Sequence, residues 1–391
     1  MIEDTRSLEN LVDELITKPY VAMDTEADSF HHYQEQVCLI QVSDLSRDYI
    51  IDPLKIDDCS SLKRLFGAPT VTTILHGGDY DVVSLKRDFD VHFSHLFDTM
   101  IASLFLGFPR IGLADLIEQF FGHHIDKKYQ RHDWSRRPLL DEHLQYARGD
   151  THFLLALREI LRRKLENEGR TAAFEEECAL LAQREWSGRA RDPSDFMRTK
   201  RSNSLDKKGL RVLRALWNYR EERAKALDRP VFKVLADSIM VDLSKQRPNN
   251  RDELHRVIRR NSSLARKHGD DLLKIIKAGV ADETPLPRRK KSKSKTRHPP
   301  RPKGAPGIDR LYTPLKEWRN HVVESEGLSP VVVASNSLLK EIARAAPDTL
   351  EDLADVPGIR NWQVDDFGDE ILDIINDVPV ATARKRRARS S

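Results

Sequence analysis

Two stretches in the C-terminal half repeat one another at a constant offset of 99 residues. Leu216 answers to Leu315, Arg220 to Arg319, Leu254 to Leu353 and Val257 to Val356. The run Gly269-Asp270-Asp271-Leu272-Leu273-Lys274-Ile275-Ile276 answers to Gly368-Asp369-Glu370-Ile371-Leu372-Asp373-Ile374-Ile375. Spacing shared across a whole block marks a duplicated unit rather than a common composition. The period within each unit is helical: Leu210, Leu213, Leu216 and Trp217 fall on one face of a helix over 206–227. The 391 residues therefore divide into an N-terminal domain over 1–190 and two small all-α domains over 204–283 and 308–379. A Pro-, Lys- and Arg-rich linker over 284–307 and a basic tail over 380–391 complete the chain.

The first domain alternates. A helix over 7–16 carries Leu8, Leu11, Val12 and Leu15 on one face. Strands follow at 20–24, 37–42 and 48–51, close enough in sequence to pair antiparallel. Helix 60–66, strand 71–75, helix 79–89, strand 95–97 and helices 99–106 and 112–121 come next, and a long helix is expected over 141–166. This is an α/β layer architecture with a mixed sheet.

Acidic residues fall at the ends of these elements. Asp24 and Glu26 flank Thr25 on a strand, so both point to one face. Two carboxylates held that close repel unless a cation sits between them, and hard oxygen ligands suit Mg²⁺ or Mn²⁺. A solvated acidic turn would look the same in isolation. Asp79 and Asp81 follow the break His76-Gly77-Gly78; Asp79 reads as the helix cap, leaving Asp81 in the first turn near the end of the strand that returns towards Asp24. Tyr146 and Asp150, four apart on a helix, share a face, where a tyrosine beside carboxylates can hold a water for attack. His76 reads as structural, while Asp133 and Trp134 fit either substrate contact or packing.

The net charge of +3 conceals an asymmetry. Residues 288–303 hold nine Lys/Arg and 384–389 hold five, with no acid in either block. Taking these fourteen charges from +3 leaves −11 on the rest. Such blocks attract polyanions through phosphate contacts, or serve solubility alone. Cys38, Cys59 and Cys178 are too few and too scattered for a disulfide framework or a zinc site, which fits a reducing cytoplasm. No apolar run is long enough to span a bilayer, and the acidic N-terminus does not read as a secretory signal.

Taken together, Asp24 and Glu26, then Asp81, then Tyr146 with Asp150 resemble the three-motif pattern of the DEDD exonuclease superfamily in its tyrosine-bearing branch. Within that branch the chain is similar to the ribonuclease D family and its nuclear-exosome relatives. Phe97-Asp98-Thr99, Gly112-Leu113-Ala114-Asp115-Leu116 and Asp133-Trp134-Ser135-Arg136-Arg137-Pro138-Leu139 fall where that family has similar stretches. The duplicated units resemble the HRDC domain. The resemblance implies a ribonuclease H-like exonuclease domain with a mixed sheet. It also implies two divalent ions (Mg²⁺ or Mn²⁺) held by Asp24, Glu26, Asp81 and Asp150, and a water oriented by Tyr146. One ion would lower the pKa of the attacking water and the other would stabilise the leaving 3′ oxygen.

A register error of two residues would make Asp79 the ligand in place of Asp81. The implied activity is 3′→5′ trimming of RNA, including tRNA precursors, by a cytoplasmic monomer. The site residues alone leave a DNA exonuclease open, since choice of sugar depends on contacts to the 2′-OH; a non-catalytic RNA-binding scaffold would be expected to lack one of the ligands. The turn Val356-Pro357-Gly358-Ile359 can offer backbone N–H groups to a phosphate, or simply pack the helical unit against the nuclease.

Overall fold

The structure is a computed structural model that describes residues 1–186, 192–258, 262–287 and 305–378. The N-terminal domain runs α1 (Thr5–Leu15), β1 (Tyr20–Ala27), β2 (Val37–Ser43), β3 (Asp48–Ile51), α2 (Ser61–Phe66), β4 (Thr72–Leu75), α3 (Asp79–Phe89), β5 (His95–Asp98), α4 (Thr99–Phe105), α5 (Leu113–Phe121), α6 (Asp141–His152), α7 (Leu154–Asn167) and α8 (Thr171–Ala182). The five strands form one sheet in the order β3-β2-β1-β4-β5. β1 pairs antiparallel with β2 and parallel with β4, so the sheet is mixed and β1 lies at its centre. Helices pack on the sheet, and β2 is buried along its whole length, which accounts for the apolar residues Val37 to Ile40 and Val42 on both of its faces.

One expected element divides. The helix over 141–166 breaks at Phe153, between α6 and α7. Two side chains account for the joint. Thr151, fully buried, meets Ser43 on β2 through a 2.7 Å hydroxyl contact. Phe153 turns towards Phe121, at 5.3 Å between ring centroids, and His123, at 5.1 Å. α6 then lies across β1, β2 and β3, while α7 lies across β1 and β4.

The C-terminal half is α9 (Lys207–Ala226), α10 (Val231–Val234), α11 (Asp237–Gln246), α12 (Arg251–Val257) and α13 (Ser262–Ala281), then α14 (Ile308–Glu326), α15 (Pro330–Val333), α16 (Asn336–Ala345), α17 (Leu350–Ala354) and α18 (Asn361–Asp377). From α10 to α13, each helix starts 99 residues before its counterpart in the second set. The match extends to side chains. Arg220 donates to the Leu235 carbonyl at 3.4 Å and pairs with Asp237; Arg319 donates to the Ala334 carbonyl at 3.3 Å and to Asn336 at 2.8 Å. The first module also takes in Phe196 and Met197, which belong to its core although they precede the expected start at 204. Most of the basic linker and the tail from 379 onward lie outside the described residues.

The two modules attach to the nuclease differently. The first keeps a separate apolar core and touches the loop after β1 through polar groups and one edge-on aromatic pair, Phe30 with Phe232. Asp228 accepts from the Tyr33 backbone N–H at 3.0 Å and meets His32 Nδ1 at 2.6 Å, and Tyr33 Oη donates to Glu221 at 3.2 Å. The core of the second module is continuous with that of the nuclease. Trp362 packs on Phe105 at 5.3 Å, and a Cβ placed on Gly107 would sit 1.7 Å from the Gly327 carbonyl oxygen. Among the described residues no helix is long and apolar enough to cross a membrane.

Candidate active site

Three elements of the N-terminal domain converge. β1 delivers Asp24 and Glu26 from the centre of the sheet. The turn Gly77-Gly78 after β4 starts α3 and brings in Asp81. α6 brings in Asp150, with Tyr146 one turn before it. Asp24, Glu26 and Asp150 each offer a carboxylate oxygen, and these atoms all lie within 4.8 Å of one another. Asp81 is buried, and its Oδ1 accepts from the Thr25 hydroxyl, so it is tied to the strand between the other two acids.

The turn that carries Asp81 is held by a residue outside the three acidic motifs, in the Phe97-Asp98-Thr99 stretch. Asp98, fully buried at the end of β5, accepts four backbone N–H bonds: Gly77 at 3.0 Å, Gly78 at 2.8 Å, Met100 at 2.8 Å and Ile101 at 3.0 Å. It caps α4 and pins the start of α3 with one carboxylate. An Asp before an apolar helical run is a cap signal, and Asp98-Thr99 carries that signal in the sequence. Gly77 has φ of +67°, a conformation that strains any other residue, and faces the end of the Met100 thioether.

Asp79 is not the cap. Gly78 occupies the N-cap position, with no side-chain cap bond, and Asp79 is the first residue of α3; the N–H groups of Gly77 and Gly78 go to Asp98. Asp79 points outward, half exposed, and ion-pairs with Arg184. His76 meets the Thr99 hydroxyl at 2.9 Å, and burial holds its pKa below the usual histidine value.

Trp134 is a core residue, stacked 5.9 Å from Tyr146. Its segment is clamped to the sheet by Arg137, which makes two 2.6 Å bonds to the buried Asp52 and a 2.9 Å bond to the Cys38 carbonyl. Asp133 is turned to Ser135 and Arg136.

The electrostatics are those of an anionic cluster under compression. Burial first, and then the charges of Asp81, Asp150 and Glu26, push Asp24 well above the ordinary carboxylate range. Glu26 is raised in the same way by burial, Asp150 and Asp81. Burial and Asp81 raise Asp150 to about 7. Burial raises Asp81 to about 6 against the lowering effect of the Thr25 bond. Burial and the neighbouring carboxylates also push the Tyr146 phenol up, so it keeps its proton. Mutually repelling oxygens at this spacing fit hard divalent cations, which would relieve the repulsion that raises the pKa values.

Comparison with known proteins agrees with this geometry. Residues 1–166 match a family model described as 3′-5′ exonuclease, and residues 209–276 and 309–375 each match the HRDC domain. Ribonuclease D of Gluconacetobacter diazotrophicus is 29% identical over 376 residues, which is 95% of this chain and 91% of that protein. The exosome complex exonuclease RRP6 of Saccharomyces cerevisiae is 36% identical over 184 residues, 47% of this chain and 25% of the yeast protein. The crystal structure of Escherichia coli RNase D, an exoribonuclease involved in structured RNA processing, superposes with a TM-score of 0.68 at 25% identity. That match covers 97% of this chain and 99% of that one.

Proposed function

We propose that this chain, which belongs to the ribonuclease D family of 3′-5′ exoribonucleases, trims 3′ extensions from tRNA precursors by metal-dependent hydrolysis, releasing nucleoside 5′-monophosphates. The observation that carries this reading is the cluster of Asp24, Glu26 and Asp150 oxygens within 4.8 Å, with Asp81 tied in through Thr25. Asp24, Glu26, Asp81 and Asp150 would hold two divalent ions, Mg²⁺ or Mn²⁺. When bound, such ions activate water as a nucleophile and offset negative charge on the phosphate and on the departing oxygen.

The chain's own residues supply position. Tyr146, protonated at neutral pH, holds the attacking water by a hydrogen bond from its hydroxyl. Its ring is fixed between Trp134 at 5.9 Å and Tyr129 at 5.8 Å, which orients the water for attack on phosphorus. Water adds to phosphorus, the bond to the 3′ oxygen breaks, and the shortened RNA keeps a free 3′ hydroxyl.

Three substrates test the reading: a 3′-extended tRNA, a short single-stranded RNA and a matched DNA strand. Each is incubated with Mg²⁺ or Mn²⁺, with chelator, and with Asp24→Asn. The expected result is metal-dependent release of mononucleotides from the RNA 3′ end, lost in the variant and weak on DNA. Preferential DNA cleavage, or near-normal turnover by Asp24→Asn, would overturn it.

A further inference from the structure

One buried side chain beside the acidic cluster is left without a partner. Gln41, on β2, is fully buried. Neither its Nε2 nor its Oε1 meets a hydrogen-bond partner among the described residues. It is the one side chain among them with two such buried atoms. A buried amide without hydrogen bonds costs stability, whereas a leucine would fill comparable space with no polar group to satisfy.

The sheet fixes what surrounds it. Gln41 stands directly across from Asp24 in the antiparallel pairing of β1 with β2, so both side chains leave the same face. Its partner on the other side, on β3, is Ile50. Along β2 its neighbours on that face are Leu39 and Ser43. Leu39 and Ile50 are buried in one apolar cluster with Ala147 of α6. The Ser43 hydroxyl is already engaged, with Asp48 and with Thr151, each at 2.7 Å. The helix that covers this layer, α6, is the one that brings in Asp150.

Asp24 is therefore the acceptor that faces Gln41. Opposite residues of an antiparallel pair have Cβ atoms about 4.5–5.5 Å apart, a gap that a glutamine amide can span to reach a carboxylate. Glu26 stands opposite Leu39 and is only a diagonal neighbour. Carboxylates that hold metals are themselves held by hydrogen bonds, and these set how their oxygens face the ion. The Thr25 hydroxyl already holds Asp81 in this way. A neutral amide can do the same for Asp24 without bringing a positive charge that would compete with a cation.

We propose that Gln41 is a positioning residue for the metal site: its Nε2 donates to the Asp24 carboxylate when the acids hold divalent ions, and fixes the orientation in which Asp24 meets them. The proposal rests on the metal-dependent reading above and adds to it a residue that none of the acidic motifs contains.

The test is Mn²⁺ binding to the full chain by titration calorimetry, with thermal unfolding in chelator beside it, for Gln41→Leu and Gln41→Met. Both variants keep the bulk of the side chain and remove the amide. Affinity for Mn²⁺ is expected to fall about tenfold in each. The thermal midpoint in chelator is expected to hold or rise, because an unpartnered buried amide has gone. A residue that served only the core would do the reverse, lowering the midpoint and leaving the affinity alone. Unchanged Mn²⁺ affinity in both variants would overturn the proposal. So would a lower chelator midpoint or failure to fold in both, since either would give the amide a use in the fold. A wild-type chain that binds no Mn²⁺ would overturn the metal reading first and this proposal with it, so the two failures are read separately.

Discussion

The Thr25 hydroxyl donates to the carboxylate of Asp81, so the residue between the two strand acids holds the third acid in place. Strand alternation sends Asp24 and Glu26 to one face of β1 and Thr25 to the other. The bond therefore links α3 to β1 without using either of the flanking carboxylates. It also opposes burial, which otherwise drives Asp81 towards its protonated form.

Thr25→Val removes that bond while keeping the shape. A hydrogen bond to a charged acceptor contributes about 1.5–3 kcal/mol. The concentration of Mg²⁺ at half-maximal activity should rise about tenfold or more, and Thr25→Ser should restore it. A metal titration of cleavage checks this, and an unmoved midpoint in Thr25→Val would show that the bond does not hold the site.

The acidic cluster makes stability depend on pH in a stated direction. Unfolded, these carboxyls ionise near the ordinary value of 3.8; folded, Asp81 keeps its proton to about 6 and Asp150 to about 7. Between those limits the fold binds more protons than the unfolded chain, so its stability falls as pH rises. In chelator, the thermal midpoint should therefore drop from about pH 4 to about pH 7. Added Mg²⁺ should raise it most above pH 7, where the oxygens are free to bind. Asp81→Asn should flatten the profile. A midpoint that climbs across the same window in chelator, and is the same in Asp81→Asn, would contradict the assignment.

His32 ties the first module to the nuclease. Its Nδ1 meets Asp228 at 2.6 Å and its Nε2 meets the Ser135 hydroxyl at 2.9 Å, with Asp133 at 3.7 Å. The bond to Asp228 raises its pKa, with Asp28, Asp228 and Asp133 adding to the effect through charge. A raised histidine stabilises the contact below its unfolded value near 6.5 and gives up that contribution as pH climbs through the folded value. The radius of gyration from small-angle scattering should grow as the solution is made alkaline. In His32→Ala it should be large throughout; a compact variant at every pH would remove His32 from this role.

Trp362→Ala should be costly although Trp362 lies far along the chain from every acid of the cluster. The side chain is 7% exposed and packed on Phe105. Truncating a buried tryptophan costs about 3–5 kcal/mol. Urea unfolding should show an earlier midpoint in the nuclease itself, and ending the chain at residue 287 should do the same. An unchanged nuclease transition in both would mean that the shared core does not support it.

Much of the fold can be read from sequence because it is periodic. The antiparallel start, the alternation that follows and the duplicated helices all appear as spacing, and the structure has each. What escapes depends on residues far apart in the chain. The break at Phe153 is set by Ser43 and Phe121, neither visible from within the helix. Asp79 looks like a cap because it stands where caps stand; Asp98, some twenty residues on, takes the turn's N–H groups.

In the site, spacing brings forward Asp24, Glu26, Asp81, Tyr146 and Asp150; the fold sets oxygens of Asp24, Glu26 and Asp150 within 4.8 Å of one another and ties Asp81 to Thr25. Spacing does not reveal Thr25 as the bridge between β1 and α3. The turn Val356-Pro357-Gly358-Ile359 reads equally as a phosphate contact or as packing, and nothing in its sequence shows that the amides just beyond it, of Asn361 and Trp362, donate to Glu176 of the nuclease, at 2.9 and 3.0 Å.

The unlike attachments of the two modules give the molecule two separate release conditions. The first is held mainly through ionisable and hydrogen-bonding groups, whose attraction salt screens. The second adds to its bonds with Glu176 and Glu177 a shared apolar core, which salt leaves intact and cooling weakens. High ionic strength should therefore loosen the first module before the second, and low temperature should act in the opposite order.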